Sequence, residues 1–344
     1  MTVIGNPATM GKMGIPIYLT VTVTTGAVVT ATNGSKTVSG TSASGSCTLK
    51  LPEAGTWTVS ATLNGTSTPT KTIMIKNNYS TTLFFVGSTL NNTDWDIISA
   101  VSDAGQSTNY WSIGDRKAVT LNGTVGYCTF SSATYYCFII GFDHNSTYEG
   151  TNRIHFQFGK TALTAGDDIA FIDGRYENSG STVAFRMNTS STNDGGWESS
   201  YMRQTICGTS LLSYSGTFIG VLPSELRSVL KSVTKYSDNV GNRTEARENI
   251  TATTDYIFLL AEYEVFGTSP RANDYEYEKQ AQYAYYSAGN SQLKERHSAT
   301  YSPASWWLRS VNGGGAHFLT VSTGGVSYNQ AANISYGFAP GFCV

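Results

Sequence analysis

The chain has 344 residues, of which 40% are hydrophobic and only 13% charged. That is enough apolar content for two folded cores and excludes a disordered chain, while the charged share is about half the usual value. A formal charge of −2 excludes the basic surface that a phosphate-tracking nucleic-acid binder carries, and no apolar run reaches the roughly 18 residues of a membrane helix. Ser, Thr, Asn, Gly (35 residues) and Tyr (21) fill the gap left by the charges, a mixture suited to strands, turns and polar contact surfaces.

In chain order, the segment 1–14 has no charged region leading into an apolar one, so no secretory leader is expected and synthesis in the cytoplasm is. Residues 15–88 predict a small all-β sandwich. Short alternating runs such as IPIYLTVTV (from Ile15) and TWTVSATL (from Thr56) are punctuated by Asn33-Gly34, Pro52–Gly55 and Asn64-Gly65. Trp57, Val59 and Ala61 fall on one face and are expected in its core. GAVVTATNGSKTVSGTS and LPEAGTWTVSATLNG in this stretch resemble the immunoglobulin-like or transthyretin-like modules of phage tail and bacterial surface proteins, which implies a spacer or attachment role.

Residues 91–344 mix helical and strand signals and predict an α+β domain. Helices are expected at Asn92–Val101, at Leu222–Tyr236 (Leu226, Val229, Leu230 and Val233 at helical spacing) and at Asn273–Ser287. Strands are expected at Tyr110–Ile113, Ala118–Leu121, Tyr136–Phe142, Ile154–Phe158, Tyr256–Leu260 and Phe318–Val321.

Catalytic and metal-binding patterns are weak. His144, His155, His297 and His317 have no metal-ligand spacing; alternation sets His155 opposite Ile154, Phe156 and Phe158, a structural or surface position. Glu262 and Glu264 beside an apolar strand are the candidate carboxylate pair for glycoside chemistry, and Asp167, Asp168 and Asp173 lack the spaced loop of a calcium site. Of the five cysteines none forms a CxxC pair; Cys128 and Cys137 are either bridged across a hairpin or two buried thiols. The expectation is a non-enzyme with no catalytic residues, metal or cofactor.

The last forty residues, SWWLRSVNGGGAHFLTVSTGGVSYNQAANISYGFAPGFCV, are the most informative. A framework of Trp307, Leu308, Arg309, Phe318, Val321, Gly337, Pro340 and Phe342 carries Tyr, Ser, Asn and Gly, the residue types that binding surfaces favour. Arg309 is expected to pair with a buried carboxylate or with backbone carbonyls, and of Trp306 and Trp307 one is expected in the core and one at the surface.

WWLRS, a following FxxV and the terminal GxxPGFCV, together with FIIGFDHN, IHFQFGK, GGWESSYMR and TDYIFLLAEYEVFG, resemble the C-type-lectin-fold variable proteins of diversity-generating retroelements. The resemblance implies a C-type-lectin-like domain over 91–344 with a variable region at about 304–336. Its ligand-binding residues would be Trp306, Val311, Asn312, Gly314, Ala316, His317, Leu319, Ser322, Val326, Ser327, Tyr328, Asn329, Asn333 and Tyr336. In such elements AAC codons become NNC, which cannot encode Trp, Gln, Glu, Lys or Met. Between Val311 and Tyr336 only Gln330 belongs to that set, and the stretch has no charged residue.

The resulting expectation is a phage tail receptor-binding protein, located in the virion, that recognises a bacterial cell-surface protein or glycan. It would meet other tail proteins through the N-terminal module and form a homo-oligomer, a trimer by preference, without nucleic acid or membrane insertion. A bacterial surface lectin or adhesin, a relative of the formylglycine-generating enzymes acting through Cys207 or Cys343, and a purely structural virion protein are the alternatives.

Overall fold

The computed structural model describes residues 16–173, 176 and 184–344, which fall into two units dividing between Val86 and Gly87. The expected N-terminal segment 1–14 lies outside the described residues.

The first unit is a β-sandwich. Its strands are β1 (Ile17–Thr22), β2 (Val28–Thr32), β3 (Thr37–Thr41), β4 (Ser46–Leu51), β5 (Gly55–Leu63), β6 (Thr66–Ser67), β7 (Lys71–Ile75) and β8 (Tyr79–Thr82). One sheet has the order β4-β1-β8; the other runs β3-β2-β5-β6, with β7 also on β5. Alternation fixes the inner face: Trp57, Val59 and Ala61 are buried with Leu19, Val21, Val29, Leu49 and Ile75 in one apolar cluster. Outward-facing hydroxyls pair across strands, Thr30 with Ser39 and Thr62 with Ser67. The β5–β6 turn places Asn64 and Gly65 both at positive φ, as a tight hairpin with the strand twist requires.

The second unit holds β9 (Arg116–Val125), β10 (Cys128–Phe142), β11 (Ile154–Lys160), β12 (Ile169–Ala170), β13 (Val233–Asp238), β14 (Ile250–Asp255), β15 (Ile257–Phe258), β16 (Lys294–Arg296), β17 (Ala299–Ala304), β18 (Trp306–Val311), β19 (Phe318–Val321), β20 (Ser327–Gln330) and β21 (Gly341–Cys343). The largest sheet is antiparallel in the order β15-β21-β11-β10-β9, so the last strand of the chain lies inside it. Ile154 donates to the carbonyl of Val344, and Phe342 stacks on Phe156 with centroids 5.1 Å apart. Smaller sheets follow the orders β12-β16-β17, β13-β14 and β18-β19-β20.

This corrects the expected α+β class with a C-type-lectin-like domain. The molecule is mostly β, with 39% strand against 16% helix distributed around several small sheets. Among the described residues only Trp95–Asp103 makes an α-helix of nine residues; the others have four or five, too short to form a layer. A sequence rich in Gly, Asn and β-branched residues ends helices early.

Three local expectations fail for related reasons. The spacing over Leu222–Tyr236 mixes residues buried by different elements: Leu226 in a single helical turn (Ser224–Arg227), Leu230 in a loop and Val233 in β13. In Asn273–Ser287 only Ala284–Ser287 is α-helical, because the Asn273 side chain accepts the Tyr275 N–H at 3.1 Å and forms a turn instead. Tyr110–Ile113 is a turn held by Asp115, whose carboxylate accepts the Ser112 N–H at 2.9 Å.

Among the described residues no helix is long and apolar enough to cross a membrane. All five cysteines are free and buried, so Cys128 and Cys137 are not bridged.

Candidate functional site

Strand β18 is the floor of the C-terminal region. Every residue from Trp306 to Val311 is buried, so both tryptophans are core residues and the expectation of one surface tryptophan fails. Trp306 Nε1 donates to the Gln292 carbonyl at 3.0 Å and Trp307 Nε1 to that of Phe185 at 2.9 Å. β19 pairs with β18 on one side and β20 on the other, and its four side chains are buried as well.

The predicted ligand-binding residues divide accordingly. Trp306, Val311, Leu319, Ser327 and Tyr336 are buried and belong to the support. Asn312, Ala316, His317, Ser322, Asn329 and Asn333 are half-buried, and Gly314, Val326 and Tyr328 are exposed, Val326 by 59% and Tyr328 by 48%. The second group sits on the turns at 312–317 and 322–326, on the edge strand β20 and, for Asn333, on the turn that follows it.

The 312–317 turn and β20 are held from outside the C-terminal segment. Fully buried Asn193 donates its amide to the carbonyls of Gly315 (2.9 Å) and His317 (3.0 Å), fixing the 312–317 turn. Ala272 bridges Asn312, and Gly313 donates to the Arg271 carbonyl at 3.0 Å. The Arg271 guanidinium donates through Nε to the Ser327 carbonyl at 3.1 Å and lies over the Tyr328 ring, 5.5 Å from its centroid. Sequence reasoning missed Asn193 and Arg271, since each acts through a contact distant in sequence.

Beneath the small sheet lies a buried charge network. Arg309 grips Glu264 with both terminal nitrogens, donates to the Leu259 carbonyl at 2.8 Å and reaches Ser237 Oγ at 2.8 Å. Thus it has both the buried carboxylate and the carbonyl expected for it. Lys235 Nζ donates to Glu149 at 2.6 Å, Glu264 at 3.1 Å and the Tyr283 hydroxyl at 2.7 Å. His155 Nδ1 lies 3.2 Å from that hydroxyl and 3.3 Å from Cys343 Sγ, while His144 stacks on the Tyr283 ring at 3.7 Å. His155 is therefore fully buried: β11 is covered on both faces, and alternation along it does not lead to solvent.

Burial opposes every charge here, and the outcome depends on partners. Burial pushes Glu149 up to about 7 despite Lys235, and Glu276 also to about 7 despite a hydrogen bond from Ser310. Glu264 is buried equally, yet the Arg309 and Lys235 charges outweigh burial and hold it well below the ordinary carboxylate range. Burial drives His144 down to about 3, His155 well below its ordinary value and the Cys343 thiol up to about 12.

Ligand atoms of His144, Glu149 and Glu264 lie within 4.8 Å of one another, the spacing of a metal site. Lys235 Nζ already bridges the two carboxylates, so the protein's own ammonium takes the place of a cation. The proposed carboxylate pair also dissolves: Glu264 is consumed by Arg309 and Lys235, and Glu262 accepts the backbone N–H groups of Arg271 (3.1 Å) and Ala272 (2.7 Å). Asp168 pairs with Lys160, and Asp173 accepts from Ala184, Phe185 and Ser335. These carboxylates support structure. Glu262 and the Lys235–Glu264–Arg309 network brace the loop and strand that carry the C-terminal turns.

Residues 175–344 match the model of a domain family of unknown function, DUF6273. The match takes in the whole small sheet and Lys235, Glu264, Tyr283 and Arg309 of the charge network, while His144, Glu149 and His155 lie before it. No curated protein and no solved structure matches the chain.

Proposed function

We propose that this chain is a non-catalytic recognition protein, a receptor-binding adhesin, whose C-terminal turns contact a bacterial surface ligand. The observation that carries the reading is the contrast within 306–333. Uncharged Asn312, His317, Ser322 and Val326 around the turns, and Tyr328 and Asn329 on the edge strand β20, reach the surface beside β18 and β19, whose own side chains are buried. Tyr and Asn on a rigid support give contact area and adaptable hydrogen bonds at low entropic cost. The nine predicted positions that reach the surface are all encodable by NNC codons, which agrees with a diversified face, and Gln330 lies at the end of β20. In this reading the setting is a phage tail, the N-terminal sandwich is the attachment spacer, and a trimer multiplies weak single contacts.

The test is binding of the full chain to a panel of bacteria. Val326→Asp and Tyr328→Ala are expected to reduce binding at least tenfold without altering the fold, and sibling loci are expected to vary at the codons of 312–333. Retained binding by both variants, with an invariant segment, would leave a structural role.

A further inference from the structure

The loop whose Arg271 lies over Tyr328 has a wall of its own outside the C-terminal segment. The loop that carries Arg271 leaves the helix Glu262–Phe266 and ends in the single turn Glu276–Glu278. Gly267 closes the helix at φ +68°, donating back to the Tyr263 carbonyl at 2.8 Å, a reversal that a residue with Cβ makes only under strain. Farther on, buried Asn273 holds the turn through Tyr275 N–H and is itself anchored to Asp238 at 2.8 Å. Between these two fixed points the loop walls an open cavity of about 490 Å³, lined by Tyr263, Thr268, Ser269, Asp274, Tyr275 and Tyr277.

The chemistry of this wall is selective. Tyr263 and Tyr277 lie 6.3 Å apart at 42°, and Tyr277 is 53% exposed, so its ring is a ready platform. Ser269 Oγ is closed from solvent and has no hydrogen-bond partner among the described residues, so its donor and acceptor are uncommitted. Asp274 supplies an acceptor, and the lining contains no aliphatic side chain to anchor a peptide.

We infer that this cavity is a carbohydrate subsite for a neutral sugar unit of a surface glycan. A sugar ring offers an apolar C–H face to an aromatic platform and hydroxyl groups that donate to a carboxylate and exchange hydrogen bonds with Ser and Thr. An ammonium ligand fits less well. A cage needs rings that face the cation from several sides, whereas Tyr263 and Tyr277 form a tilted pair with each other, and the Tyr275 face already carries Arg247 at 4.9 Å. Acidic sugars meet the Asp274 carboxylate and are disfavoured. The inference rests on the recognition reading and adds the chemical class of the ligand.

The test presents the full chain to an array of neutral and acidic oligosaccharides and bacterial polysaccharides, and in parallel to cells before and after periodate oxidation. Neutral glycans are expected to bind, periodate to abolish cell binding, and Tyr277→Ala to weaken both roughly tenfold, the loss of one aromatic face, while Tyr277→Phe keeps them. Cell binding that survives periodate and Tyr277→Ala but falls with Tyr328→Ala would overturn the subsite and leave the recognition reading standing. Selective binding of acidic glycans, or capture of a choline-bearing polymer that free choline competes away, would also overturn it. A chain that binds no cells fails the recognition reading itself.

Discussion

The two units solve the same problem with different interiors. The sandwich buries Leu, Val, Ile and one tryptophan, and its buried polar residues are the hydroxyls Ser42, Thr68 and Thr81. The second unit buries Lys235, Arg309, Glu149, Glu264, Glu276 and His155 among hydrogen bonds, with His144 stacked on Tyr283 beside them. An apolar core asks only for volume and pattern, so it is tolerant; a charged core has one arrangement that satisfies every group. The first suits a spacer. The second suits a platform that holds irregular turns in a fixed place, which is the hypothesis the following substitutions probe.

The largest effect is expected at Arg309. Arg309→Met leaves the Glu264 carboxylate with the Lys235 charge and the Ala261 N–H, and is expected to cost about 3–5 kcal/mol in thermal or denaturant unfolding of the second unit. Adding Glu264→Gln removes the stranded charge and is expected to recover most of that loss, because Lys235 keeps Glu149. In the sandwich, Trp57→Ala costs a similar amount through its cavity, but no second substitution that only removes a charge rescues it. An additive double variant at 309 and 264 would show that the network is not a unit.

The contrast also explains what was legible beforehand. Trp57, Val59 and Ala61 were readable because β5 has one dry face and one wet one. Trp306 and Trp307 were not, because β18 is buried on both sides and alternation there carries no information about exposure. Leu226, Val229, Leu230 and Val233 kept a helical period across three different elements, a coincidence that only the pairing of β13 with β14 resolves. Val326 and Tyr328, expected at a binding face from the resemblance, are exposed on a turn and on the edge strand β20. Lys235, Asn193 and Arg271 were invisible, since a lone polar residue far along the chain does not announce which turn or carboxylate it will meet.

A smaller effect is expected from pH. Burial raises Glu276 to about 7, so between about pH 4.5 and 7 the folded state holds a proton that the unfolded carboxyl has lost. Stability therefore falls as pH rises through that window. Glu276→Gln does not titrate, and its stability relative to the parent is expected to improve across the same window by up to roughly 3 kcal/mol, with no further change above it. His144, down to about 3, and His297, down to about 4, act in the opposite sense: the unfolded state takes their protons first, and stability is lost as pH falls below 6.5. Measuring the difference between variant and parent cancels those histidines. The sandwich has neither histidines nor buried carboxylates among its described residues and is expected to respond little. A flat difference curve would mean that Glu276 ionises freely and that the charged interior is more hydrated than its geometry implies.

The smallest change in stability should have a disproportionate effect on function. Asn193→Ala removes the donor that holds the Gly315 and His317 carbonyls and the acceptor for the Asn242 N–H at 2.9 Å. Leaving buried backbone groups unpaired costs roughly 1–2 kcal/mol. Tyr328→Ala, on an exposed edge strand, is expected to change stability by less than about 0.5 kcal/mol. If the 312–317 turn must be preorganised, Asn193→Ala loses cell binding as Tyr328→Ala does, although Asn193 is fully buried and offers no surface to a ligand. Hydrogen exchange at residues 312–317 then separates the two causes: faster in Asn193→Ala, unchanged in Tyr328→Ala. Asn193→Ala with faster exchange but full binding would show that the turn adapts to its ligand, and that the rigidity of the platform serves stability alone.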